Sequence, residues 1–270
     1  MRPQANRRAH AASSARNEDS DFFTILGSIG CPTRRALMSK LIRVAALVLL
    51  LGAFLATGRG SGQTASGAPT KEAQAAATPA GVLSALRDGN ARFVSGQTMH
   101  RDLQGLVRAT AGGQYPLAAI VGCMDSRVPV EIVFDQAIGD LFTIRVAGNV
   151  VNPDVLGSLE YATKVAGSKL IVVLGHSSCG AVKGAIEGEK LGNLTGLLAK
   201  IEPAIAASGP KGTAEDAAYV SRVVEQNVRV GMKAIRDGSP TLRQMLDAGT
   251  IGLAGGIYDL KTGKVTLLAD

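Results

Sequence analysis

Apolar residues along this chain fall into blocks of distinct period. Residues 44–57 (VAALVLLLGAFLAT) form one unbroken apolar run, followed by a stretch of small and polar residues up to about residue 80. From Gly81 the texture changes. Val82, Leu83, Leu86 and Phe93 recur at helical spacing and predict one apolar stripe. Three short runs follow, Leu117 to Gly122, Leu141 to Val146 and Leu170 to Leu174. They have strand length and do not alternate, so they read as strands covered on both faces, as in a parallel sheet. Helical patterns separate them. One runs from Asn152-Pro153 to Tyr161 with proline in the first turn, one follows Cys179, one spans about Ala214 to Arg236, and a short one spans Thr241 to Leu246. The end, Ile251 to Leu268, predicts two strands around a Lys261-Thr-Gly-Lys264 turn. Strands alternating with helices predict an α/β fold: a mostly parallel β-sheet flanked by helices, with a C-terminal antiparallel strand.

The apolar run of 14 residues suits the core of an export signal better than a membrane span, which needs about 20. Ahead of it, Thr33-Arg34-Arg35-Ala36-Leu37-Met38-Ser39-Lys40 resembles a twin-arginine export signal. Cleavage after Ala68 or after Ala77 fits the small residues there. The expected division is therefore an export leader and linker over 1–77 and a folded domain over 78–270. The expected location is periplasmic or extracellular, with membrane contact only through the leader if it stays uncleaved.

Charge agrees with that division. The first 69 residues hold nine Lys/Arg against three Asp/Glu, which leaves 20 against 19 for the rest. Six units of the formal net charge of +7 thus belong to the first 69 residues and one to the rest. A nearly neutral body with 4% aromatic residues and no Trp argues against nucleic acid as a partner. Three cysteines exclude a disulfide-rich scaffold, and Cys31 lies in the leader.

Two short motifs follow two of the predicted strands: Cys123-Met124-Asp125-Ser126-Arg127 and His176-Ser177-Ser178-Cys179. Ligands of parallel sheets collect beyond the carboxyl ends of strands. If the two strands are neighbours, Cys123, His176 and Cys179 converge. Two thiolates and an imidazole suit Zn²⁺, and three protein ligands leave one tetrahedral position open, as in catalytic zinc sites. A Cys123–Cys179 disulfide and a core role for His176 are the competing readings.

Together these motifs resemble the β-class carbonic anhydrases. The likeness extends through Asp125-Ser-Arg-Val-Pro129, Asp140-Leu-Phe-Thr-Ile-Arg-Val-Ala-Gly-Asn149 and Gly175-His-Ser-Ser-Cys-Gly180, and covers residues 80–270. It implies reversible hydration of CO₂ to bicarbonate and a proton, Zn²⁺ as cofactor on Cys123, His176 and Cys179, and Asp125 with Arg127 as the catalytic pair. By position it also implies Gln114, Phe142 and Gly180 as substrate-binding residues. It implies a homodimer or a multiple of dimers, with sites near the interface. A subgroup binds bicarbonate at an inhibitory site through Trp, Arg and Tyr; here Arg145 matches the Arg position, but Ile120 stands at the Trp position and the chain has no Trp, which argues against such regulation. His100 reads as a surface residue. Two thiolates neutralise zinc, so activity is expected to rise on the alkaline side.

Three alternatives carry their own discriminants. Carbonyl sulfide or carbon disulfide hydrolysis would use the same ligands. A serine hydrolase is suggested by Gly175-x-Ser177, but position 179 is Cys and no His follows His176, against that fold's order. A non-catalytic exported zinc-binding or disulfide protein would not depend on Asp125.

Overall fold

The computed structural model describes residues 67–269; the paired arginines, the apolar run and Cys31 lie outside them. Among the described residues no helix is long and apolar enough to cross a membrane.

The chain enters through helices α1 (Lys71–Ala76), α2 (Pro79–Val94) and α3 (Leu103–Thr110). Strand β1 (Ala118–Gly122), the one-turn helix α4 (Val130–Val133) and strand β2 (Leu141–Arg145) follow. Next come α5 (Pro153–Glu160), β3 (Leu170–His176), α6 (Gly180–Glu187), α7 (Gly192–Leu198) and α8 (Glu202–Ala207). The long α9 (Ala217–Gly238), α10 (Pro240–Asp247), β4 (Gly252–Tyr258) and β5 (Val265–Leu267) complete the body. Local chemistry sets the ends. Asn152 caps α5 by accepting from the Val155 N–H at 2.9 Å, with Pro153 in the first turn. Asp216 caps α9 in the same way, and Gly188 closes α6 in the left-handed region (φ 72°).

The five strands lie in the order β2-β1-β3-β4-β5. Every pair is parallel except β4–β5, as the sequence pattern predicts. Burial of both faces explains why the β1 and β3 runs do not alternate, whereas β2, at the sheet edge, is only half-buried and departs from the expectation for Leu141 to Val146. Ala118 and Ile120 of β1 join Leu170, Val172 and Leu174 of β3 against α2 and α4. Ala119 and Val121 join Ile171 and Val173 against α5, α9 and α10. A third apolar cluster, from α6, α7, α8 and the first half of α9, closes over Cys123 and Cys179.

The folded body begins earlier than the expected boundary at 78. Gln74 of α1 is buried and donates to the carbonyls of Pro116 and Ala166, both at 2.8 Å. Residues 71–76 are therefore a packed helix, where small-residue composition suggested a linker.

Candidate metal centre

From β1 the chain crosses to β2 on one side of the sheet; from β3 it crosses to β4 on the other. The carboxyl ends of β1 and β3 thus flank the point where the winding reverses, and a crevice opens there. Register does the rest. Gly122 pairs with Leu174, so Cys123 leaves β1 beside the last residues of β3. His176 is the last residue of β3 and lies level with Tyr258 of β4. Beyond it the Ser177 N–H reaches the Tyr258 carbonyl at 2.9 Å. Ser178 then takes a left-handed backbone (φ 53°), which turns Cys179 back toward the crevice.

Cys123, His176 and Cys179 are all buried, and their ligand atoms lie within 4.8 Å of one another. The two sulfurs are 4.0 Å apart and unbonded, against the disulfide reading. The His176 Nδ1 faces the Ser177 carbonyl at 3.0 Å. Donation there leaves the Nε2 lone pair for a metal. Nε2 has no hydrogen-bond partner although the residue is fully buried, which a core histidine would not tolerate. An orphaned imidazole nitrogen between two thiols fits zinc.

The backbone tunes the sulfurs. The Gly148 N–H points at Cys123 Sγ from 3.3 Å, at the head of a turn in which Gly148 has φ 66°. The Asn227 side chain holds the Gly148 carbonyl at 2.7 Å. Cys179 shares its proton with Cys123, and this is the main reason the Cys123 thiol lies far below its usual range; His176 and the Gly148 N–H add to it. The same sharing, with burial, pushes Cys179 up.

Asp125 stands over the cluster, its Oδ2 3.8 Å from His176 Nε2. Arg127 holds it with a two-point pair, Nε to Oδ1 at 2.9 Å and Nη2 to Oδ2 at 2.7 Å. Its own N–H adds a third bond to Oδ1 at 2.9 Å. These contacts keep the Asp125 carboxyl well below the ordinary carboxylate range. Asp125 is thus an anion held off the cluster by a fork that satisfies both its oxygens.

The family model described as carbonic anhydrase matches residues 118–265. A carbonic anhydrase of Mycolicibacterium smegmatis is 42% identical over 199 residues, spanning 70% of this chain and 93% of the relative. Carbonic anhydrase 2 of Mycobacterium tuberculosis is 37% identical, over 70% of this chain and 92% of its own. Among solved structures, a β-carbonic anhydrase of Aspergillus fumigatus superposes with TM-score 0.55 at 27% identity, covering 71% of this chain and 91% of its own. One of two tetrameric β-carbonic anhydrases of Sordaria macrospora gives 0.56 at 28%, covering 70% and 97%. The chain belongs to the β-carbonic anhydrase family. It is accordingly a carbonate dehydratase, a lyase, and zinc is its cofactor.

The other residues singled out from the sequence are more dispersed. Gly180 opens α6 directly after Cys179 and is exposed, with open space where a Cβ would stand. Phe142 lies level with Ala119, four residues short of Cys123, or roughly 13 Å along the strand. Gln114 precedes β1 and borders a surface recess with Ile138 and Gly139. Within one chain neither Phe142 nor Gln114 meets the Cys/His/Cys cluster. Tyr161 escaped the sequence reading. It meets Phe142 edge to face at 6.2 Å, and both line a cleft of about 560 Å³ beside β2. An exposed aromatic at the end of a helix carries no spacing signal.

Ile120 is buried in the core. Ser177 Oγ accepts the Leu260 N–H at 2.9 Å, a structural tie rather than a nucleophile's setting.

Proposed function

We propose that this chain hydrates CO₂ reversibly at Cys123, His176 and Cys179, with Asp125 and Arg127 as the proton-handling pair. The observation that carries the reading is the forked Asp125–Arg127 pair beside three buried ligand atoms, which leave the fourth position of a tetrahedral metal without a protein ligand. Bound zinc brings the pKa of its water toward ~7 and so supplies hydroxide near neutral pH. The chain's own groups do the rest. Arg127 keeps the Asp125 carboxylate from occupying the open approach. Asp125 Oδ2, ionised at neutral pH, accepts the hydrogen bond of the attacking oxygen and aims its lone pair at carbon. Gly180, with no side chain, leaves room for a small linear substrate.

The pocket is completed by a second copy. The outer edge of β2 has no partner strand among the described residues. Phe142 and Tyr161 line the cleft beside that edge and, with Gln114, reach a metal cluster only across a pair of chains. A homodimer, or a multiple of it, is the working assembly. The leader exports the folded protein, and processing falls before α1.

Stopped-flow CO₂ hydration at pH 7 and 8.5, with zinc measured on the same full-length sample, tests the activity. Turnover at about one zinc per chain, faster at pH 8.5, is expected. Zinc-loaded protein inert toward CO₂ at both pH values, whether or not it hydrolyses carbonyl sulfide, overturns the reading. Sedimentation should give a dimer or larger, and the exported chain should begin no later than Thr70.

A further inference from the structure

Arg145 is the last residue of β2 and pairs with Gly122 of β1, beside the start of the loop that carries Cys123, Asp125 and Arg127. It has no carboxylate within ion-pair distance among the described residues. Its guanidinium crosses the end of β1 instead. Nε donates to the Cys123 carbonyl at 3.0 Å, and Nη2 donates to the Asp125 carbonyl at 2.5 Å. A rigid fork fits two carbonyls two residues apart; an ammonium does not.

Few other contacts hold the backbone of that loop, although Arg127 holds the Asp125 side chain. Residues 123–125 have no regular secondary structure. The Asp125 carbonyl also accepts the Val128 N–H at 3.0 Å, and the Gly148 N–H meets the Cys123 sulfur. The Cys123 carbonyl has no other donor than Arg145 among the described hydrogen bonds. Two peptide planes are thus set from the β2 side: that of a metal ligand and that of the carboxylate over it. With both fixed, the Asp125 side chain departs from one backbone position, and from there it pairs with Arg127. With both free, the loop can swing and carry the carboxylate toward the open approach.

We propose that Arg145 is a positioning residue: by clamping the Cys123 and Asp125 carbonyls it fixes where the Asp125 carboxylate stands over the Cys123–His176–Cys179 cluster.

The test compares Arg145→Met, Arg145→Lys and the unsubstituted full chain. Three quantities are read: zinc content, hydrogen exchange of segment 123–130, and kcat and KM for CO₂. In the Met variant, zinc stays near one per chain, exchange of 123–130 speeds up by roughly tenfold, and exchange of β3 and α9 is unchanged. Its kcat falls by about 10- to 100-fold, the range for groups that orient a metal site from behind, while KM stays within about twofold. The Lys variant, able to reach one carbonyl, falls between. Unchanged loop exchange in the Met variant overturns the proposal. So does faster exchange throughout the body, or a loss of kcat that merely follows lost zinc. The kcat arm rests on the CO₂ reading; an unsubstituted chain inert toward CO₂ refutes that reading, and the exchange arm then decides alone.

Discussion

Two glycines flank the metal cluster, and alanine at each should have opposite consequences. Gly148 has φ 66°, and a Cβ on it would sit 2.8 Å from Ile201 Cδ1 and 3.2 Å from Ala181 Cβ. Ile201 is fully buried, so its methyl would have to move within the core. A left-handed backbone costs a non-glycine residue about 1–2 kcal/mol, and overpacking about 1–3 kcal/mol more. Gly148→Ala should therefore destabilise the protein by roughly 2–5 kcal/mol. In a body of this size that lowers Tm by roughly 5–15 °C. The turn also aims the Gly148 N–H at Cys123, so zinc affinity should drop about 10- to 100-fold. Gly180→Ala is the control. No atom lies within 4 Å of its Cβ position, so Tm should stay within about 2 °C, while KM rises because the methyl stands beside the substrate approach. Differential scanning calorimetry with and without chelator, together with zinc competition titration, reads both variants. A Gly148→Ala protein with unchanged Tm and zinc affinity would refute the account of the turn.

Asp125→Asn keeps the size of the side chain and removes its charge; zinc should remain bound while kcat drops by about 10²–10⁴, as read by stopped-flow beside metal analysis. Asp135 accepts from Arg92 and Arg101 with a side chain 1% exposed. Burial opposes its ionisation, but the two guanidiniums outweigh burial and hold its pKa below the ordinary value. A depressed carboxylate contributes stability above its unfolded pKa of about 3.9 and loses it as pH falls through the lower folded value. Asp135→Asn should thus cost about 3–5 kcal/mol at pH 7 and flatten the acid limb of the stability curve in urea titrations from pH 2 to 7. Gln74→Ala strands the Ala166 carbonyl, whereas Pro116 keeps the Ser168 hydroxyl at 2.8 Å. A loss of about 2–3 kcal/mol is expected with zinc content unchanged, and a chain starting at residue 78 should be at least as unstable.

The parts of this protein that its sequence discloses are those whose patterns are local. Strands covered on both faces leave runs such as Leu170 to Leu174, and metal ligands at strand ends keep their spacing in HxxC. What stayed hidden depends on partners remote in sequence. Helix α1 has the composition of a linker; only the reach of Gln74 to Pro116 and Ala166 shows that it is packed. Arg145 bonds to backbone carbonyls, which every residue has, so no complementary side chain betrays it. Phe142 and Gln114 stand away from the cluster within one chain, a matter of register that no local pattern discloses. Helices α7 and α8 are too short for an apolar period to stand out.

The metal ligands also have a topological consequence. Cys123 and Cys179 are 56 residues apart, and between them lie all of β2, α5 and β3. An ion gripping both sulfurs closes that segment into a ring, much as a covalent cross-link would, and removes loop freedom from every partly open state. Zinc in this fold is therefore also a chain staple. Its removal should loosen the crossover through β2 and α5 before it disturbs α9 or the β3–β4 ladder, which lie outside the ring or are pinned by the core.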